Sequence, residues 1–95
     1  MNPIRCKLAV ALRAARAAIG WTQSEVANHL RLPRQGLPRM ERALQNISAD
    51  YLLMLVNFYA ERGVKIIYAE ESSVRIEIND KALACARQRL EEKYR

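Results

Sequence analysis

Residues Trp21 to Arg42 read WTQSEVANHLRLPRQGLPRMER, and this stretch decides the fold. It divides into two short helical patterns around a tight break. Thr22 followed by Glu25 is a capping box: the threonine hydroxyl accepts from the Glu25 amide, and the carboxylate returns to the Thr22 amide. A helix starts here, with Val26, Ala27 and Leu30 inward. Pro33 disfavours helical geometry just before it, so this helix ends near Leu30 or Arg31. A second helix is expected over roughly Arg34 to Ala43, with Leu37 and Met40 inward. It is weakly encoded, because Gly36 costs helix stability and Pro38 has no amide to donate. Pro38 is tolerable within a first turn, or in a helix that begins late or bent, so an irregular start is expected.

Outward from this stretch the chain is helical on both sides. Ile4 to Ile19 is rich in alanine, leucine and arginine, and Leu8, Leu12, Ala15 and Ile19 share one face. Gly20 stops that helix. Ser48 is the next N-cap, for a helix over Ala49 to Arg62 with Leu52, Leu53, Val56 and Tyr59 or Ala60 facing in, and Gly63 closes it. The period then changes. Val64 to Ala69 alternates loosely and Val74 to Ile78 strictly, with Glu70 to Ser73 as the loop of a hairpin. An isolated hairpin is marginal in water, so this one needs cover from helices, a second chain, or both. Asn79 caps a last helix, Asp80 to about Lys93, with Leu83, Ala86, Leu90 and Tyr94 on one face. The expectation is one domain over 1–95: a helical core at 4–63, a hairpin at 64–78 and a C-terminal helix at 79–95.

Ninety-five residues suffice for one small domain with a thin core, whose full stability can draw on a partner subunit. No apolar run approaches the roughly 20 residues of a membrane span. Arg5, Lys7, Arg13 and Arg16 interrupt the first apolar stretch, which is not the pattern of an export signal, so the expected location is cytoplasmic. Cys6 and Cys85 lie far apart and His29 is the single histidine, so no metal site, redox pair or cofactor is expected, and both thiols are read as buried. Without paired acids or a glycine-rich phosphate loop, no catalytic set is visible. The net charge of +6 is unevenly spread. Residues 1–46 hold eight cations and two anions, whereas 47–95 hold eight of each. A basic half beside a neutral half suggests a polyanionic partner for the former.

The stretch from Leu12 to Arg42 resembles the Cro/CI-type, or XRE, helix-turn-helix regulators, with the resemblance extending to about Gly63. It is carried by Arg16, by Gly20 to Ala27, by Leu30, Leu32, Leu37 and Met40, and by the Glu41-Arg42 pair. It implies a mainly α fold, a lambda-repressor-like four-helix core, here followed by the β-hairpin and the C-terminal helix. In such proteins the second motif helix enters the major groove while the first crosses the backbone. On that resemblance Arg34, Gln35 and Arg39 would read bases, and Thr22, Gln23, Arg42 and Arg13 would contact the DNA backbone. Arg16 and Glu41 match a structural ion pair tying the first helix to the recognition helix. Pro33, Gly36 and Pro38 depart from the family pattern, and Arg31 replaces a frequent turn glycine.

The expected function is sequence-specific binding of double-stranded DNA by a homodimeric repressor on a near-palindromic operator. Val64, Ile66, Ile67, Ile76, Ile78, Leu83 and Leu90 are the expected dimerisation residues. The alternative is an antitoxin-type module that neutralises a toxin-like partner through its C-terminal half while also binding DNA. Trp21 is read as a core staple and His29 as solvated. Arg87, Arg89, Lys93 and Arg95 are balanced by Glu91 and Glu92 and receive no DNA role.

Overall fold

The computed structural model describes residues 3–43, 48–70 and 73–94. Among them the chain runs α1 (Pro3–Ile19), α2 (Gln23–Leu30), α3 (Gly36–Glu41), α4 (Ala49–Glu61), β1 (Val64–Glu70), β2 (Ser73–Ile78) and α5 (Asp80–Lys93). The mainly α architecture, the hairpin and the terminal helix expected from the sequence are all present.

The helix ends follow local chemistry. Gly20 ends α1 with φ 76°, a conformation costly to residues with a Cβ. Both halves of the capping box form at α2: Glu25 N donates to Thr22 Oγ1 at 3.1 Å, and Thr22 N donates to Glu25 Oε1 at 3.0 Å. At its other end Leu32 N reaches Ala27 O at 2.9 Å and Arg31 N reaches Asn28 O at 3.3 Å, a Schellman closure. Arg31 takes the left-handed conformation that closure needs, φ 57°, at a cost of roughly 1–2 kcal/mol relative to glycine.

The second helix of the motif begins later than the sequence suggested. Pro33 to Gly36 forms a turn, with Gly36 N donating to Pro33 O at 2.9 Å, and α3 spans only Gly36–Glu41. Pro38 is then its third residue. The first amides of any helix lack an internal acceptor, so the missing N–H of Pro38 forfeits nothing. Arg34 and Gln35 consequently precede α3 instead of lying on it.

Leu12, Ile19, Val26, Leu37, Met40, Leu55 and Tyr59 form the centre of one core. On α4 the buried face is Leu55, Phe58 and Tyr59, whereas Leu53 is 59% exposed and Leu52 and Val56 are half-buried. The face expected from the sequence is therefore rotated by about one residue. The run Leu52 to Val56 is apolar throughout, so periodicity alone does not select a side.

β1 and β2 pair antiparallel, with Val64 opposite Ile78 and Ile66 opposite Ile76. Glu70 and Ser73 belong to the strands, not to the loop, and residues 71 and 72 of the expected loop lie outside the described residues. The hairpin rests on α1 and α4 of its own chain. Val64 is fully buried in the core, which corrects its assignment to dimerisation. Ile66 and Ile76 are half-buried against the core, Ile67 is half-buried, and Ile78 is exposed. Gly63 joins the two ends of the hairpin: its carbonyl accepts from Asn79 N at 2.9 Å, at φ 93°.

The last helix turns Ala82 into the core, with Cys85, Ala86 and Arg89 half-buried. Leu83, Leu90 and Tyr94 are exposed, so Ala86 does not share their face as expected. Cys6 is exposed and Cys85 half-buried, which corrects the expectation of two buried thiols. Among the described residues no helix is long and apolar enough to cross a membrane.

Candidate nucleic-acid interface

The arms of α2 and α3 enclose an open groove of about 490 Å³. Its floor is apolar, from Ala27 and Leu32, both buried, with the ring of Pro38 at one wall. Ala27 is small enough to leave the groove open. The rim is polar: Gln23, Ser24 and Asn28 from α2, Arg34 and Gln35 from the turn before α3. Arg34 and Gln35 are both exposed, and Gln35 sits at the N-terminal boundary of α3 without a side-chain capping bond. Arg39 is exposed one helical turn beyond Gln35 on the same side. Arg42 follows α3, donating from Nε to Pro38 O at 3.3 Å, and shares a smaller depression with Arg13 of α1. Five of the seven expected base-reading and backbone residues gather in two groups, while Thr22 and Arg39 line neither depression. Gln23 stands with Arg34 and Gln35, and Arg13 stands with Arg42.

The angle between these arms is set from beneath. Arg16 Nε donates to both Glu41 oxygens, at 2.9 and 3.1 Å, and its Nη2 donates to Oε1 at 3.0 Å. Its Nη1 donates to Trp21 O at 3.0 Å. One guanidinium therefore links α1, the start of α2 and the end of α3. Gln23 joins the same carboxylate, its Nε2 donating to Oε1 at 3.1 Å. Part of the Gln23 amide is thus committed to a structural bond, which the sequence did not reveal. Glu41 is 1% exposed. A charge so buried gains little net stability from its partner but is costly to leave alone, and the fork geometry fixes orientation. The hydrogen bonds that Arg16 donates to Glu41 raise the Arg16 pKa, against the opposing effect of burial. The hydroxyl of Tyr59, buried nearby, is pushed well above its usual range by desolvation and then by the Glu41 charge.

Trp21 is the second support. Its ring meets Phe58 edge-on at 5.3 Å and His29 at 5.6 Å. Two guanidinium groups lie on it: Arg62 at 4.9 Å and Arg89 at 4.6 Å from the ring centroid. Arg62 also donates from Nη2 to His29 Nε2 at 3.3 Å, so His29, though exposed, is partnered. Arg89 pairs with Glu25 Oε2, while the other oxygen of Glu25 caps α2. The Thr22 amide, and next Arg89, hold the Glu25 carboxyl below its ordinary value of 4.5.

Sequence reasoning missed Ser24 and Asn28 on the groove rim, and Arg62 and Arg89 on Trp21. The first two had a local signal, since their four-residue spacing puts them on the outer face of α2, away from Val26. The two arginines had none, because their contacts come from distant parts of the chain. Among the described residues, no three acidic, histidine or cysteine groups converge to hold a metal ion.

No curated protein and no solved structure matches the chain. A family model described as helix-turn-helix matches residues 12–63, more than half of the chain's 95 residues. The matched segment contains α2, the Schellman turn, α3 and α4, together with Arg16, Glu41 and the whole groove rim. The chain therefore belongs to the Cro/CI-type (XRE) helix-turn-helix family and is a DNA-binding transcription regulator.

Proposed function

We propose that this regulator is a homodimeric repressor that reads a near-palindromic operator with α3 and the turn before it in the major groove. One observation carries the reading: Arg34 and Gln35 stand exposed beside Gln23 on the rim of one groove, in the basic half of the chain. Arginine grips guanine O6 and N7 with parallel bonds, and glutamine does the same to adenine N6 and N7, each discriminating by about 1–3 kcal/mol. Arg39, a turn along α3, extends the reading by further bases. Thr22 and Gln23 sit at the positive end of α2 and meet one phosphate, Gln23 with the amide hydrogen not given to Glu41. Arg42 and Arg13 meet a phosphate of the other flank.

Two copies with recognition helices about 34 Å apart would span one turn of DNA. The pairing surface is the exposed apolar set of Leu83, Leu90 and Tyr94 on α5 with Ile78 at the end of the hairpin. Neighbouring exposed apolar side chains of this size mark a contact surface. Repression follows by occlusion of a promoter, in the cytoplasm. The same set favours a second reading, in which an antitoxin-type module seats a partner protein there.

Selection of bound sequences from random duplex DNA tests the main reading. A symmetric motif with two half-sites about one helical turn apart is the expected outcome. An asymmetric single site, or a monomer by light scattering at high concentration, contradicts the homodimer.

A further inference from the structure

We propose that Arg89, on the C-terminal helix and outside the segment shared with the family, is a positioning residue for DNA binding. It anchors the start of α2 and neutralises Glu25 beside the approaching phosphate. The inference rests on the reading that α2 meets the DNA backbone with its first turn.

Three contacts carry it. The helix α5 presses directly on the α1–α2 junction: a Cβ added to Gly20 would stand 3.2 Å from Arg89 Cβ and 3.9 Å from Ala86 Cα. The Arg89 stem then runs past Gly20, and its guanidinium covers Trp21 at 4.6 Å from the ring centroid. It ends on Glu25 Oε2, while Oε1 of the same carboxylate takes the Thr22 amide at 3.0 Å. Glu25 is thereby shared between capping α2 and holding α5.

The arrangement answers an electrostatic problem. A carboxylate in the first turn stabilises a helix by its dipole, but it also repels an incoming phosphate. Arg89 cancels that repulsion while leaving the cap intact. Arg87, two residues away on the same helix, is turned to solvent and pairs locally with Glu91 at 3.0 Å. It supplies the control, having the same charge in a different place.

The test measures affinity for a fluorescently labelled random-sequence duplex of about 30 bp, whose binding is set by phosphate contacts, over a range of salt. Arg89→Gln is expected to weaken binding roughly fivefold at low salt, as one uncompensated charge near the phosphate would. Arg87→Gln is expected to stay within about twofold, and Arg89→Lys to keep most of the affinity. The double variant Glu25→Gln with Arg89→Gln is expected to recover most of the loss, since glutamine still caps α2 and no carboxylate is left uncovered. A brace acting only on the fold would show no such recovery, and circular dichroism at the assay temperature reports on folding for every variant. The inference is overturned if Arg89→Gln binds as wild type, if Arg87→Gln loses as much, or if the double variant recovers nothing. Loss in Gln23→Ala with none in Arg89→Gln overturns the inference alone. No loss in either removes the phosphate reading, and the inference with it.

Discussion

Arg16 and Glu41, 25 residues apart, are joined by three hydrogen bonds through one guanidinium that also holds the Trp21 carbonyl. The pair lies under the interface, not in it. Glu41→Ala removes the acceptor of both Arg16 and Gln23 and leaves Arg16 partly buried without its counter-charge. The expected loss is about 3 kcal/mol, the low end for a broken buried pair because the Arg16 side chain keeps 23% exposure. Urea denaturation followed by circular dichroism measures it. Glu41→Gln, which keeps one acceptor oxygen, should lose distinctly less. Equal stability for all three proteins would mean that the network does not hold the helices.

Backbone conformation at two positions of the motif runs against residue type, and both should be improvable. Arg31 pays for φ 57°, so Arg31→Gly is expected to stabilise by about 0.5–1 kcal/mol, the relief of strain being partly offset by glycine's greater freedom in the unfolded chain. Gly36 is helical, and a methyl group there meets Met40 Cε and Pro33 Cδ at an ordinary 3.7 Å. Gly36→Ala is therefore expected to stabilise by about 0.4–1 kcal/mol. Because that methyl points inward, DNA affinity should be unchanged. Thermal melts and a binding titration on each variant check both statements.

The Glu25 carboxyl lies below its ordinary value of 4.5 in the folded chain. A depressed folded value means that the unfolded chain binds the proton first, so the contribution is complete above about pH 4.5 and is lost as pH falls through the folded value. Wild type should lose melting temperature below that pH more steeply than Glu25→Gln. The difference should be modest, because the carboxylate is partly exposed to solvent. Parallel melting curves for the two proteins from neutral pH to about pH 2.5 would contradict the assignment.

On α5, Leu90 is 55% exposed, whereas Val64 of the hairpin is fully buried. Leu90→Glu, or Leu83→Glu, is expected to shift the protein towards monomer by at least about tenfold in dissociation constant with little change in the monomer's far-ultraviolet spectrum. Val64→Ala is expected to cost about 2 kcal/mol of stability through lost burial, at any oligomeric state. Sedimentation of the variants over a concentration series separates the two effects.

Much of the fold was legible because its signals are local. The Thr22–Glu25 box, the Gly20 stop and the strict alternation from Val74 to Ile78 each act within a few residues. Features set by distant contacts were not legible. The apolar run of α4 gave no preferred side until Leu55 entered the core and Phe58 met Trp21. Val64 looked like spare apolar surface until α1 and α4 closed over its strand. The start of α3 depends on the Pro33–Gly36 turn, which a count of helix formers does not weigh. Arg34 and Gln35 were expected by resemblance, but their place beside Gln23, Ser24 and Asn28 around one groove needed the fold. Arg89 lay outside any motif, and its link to Glu25 has no trace in the neighbouring sequence.

The central claim is that Arg34 and Arg39 read bases, and the most direct measurement repeats the selection from random duplex DNA with Arg34→Ala and with Arg39→Ala. Each variant should yield the wild-type motif with a different base pair relaxed, at a cost of about 1–3 kcal/mol for the wild-type site. Motifs unchanged in every position, with affinity lowered equally for all sequences, would contradict the account and make both arginines backbone contacts.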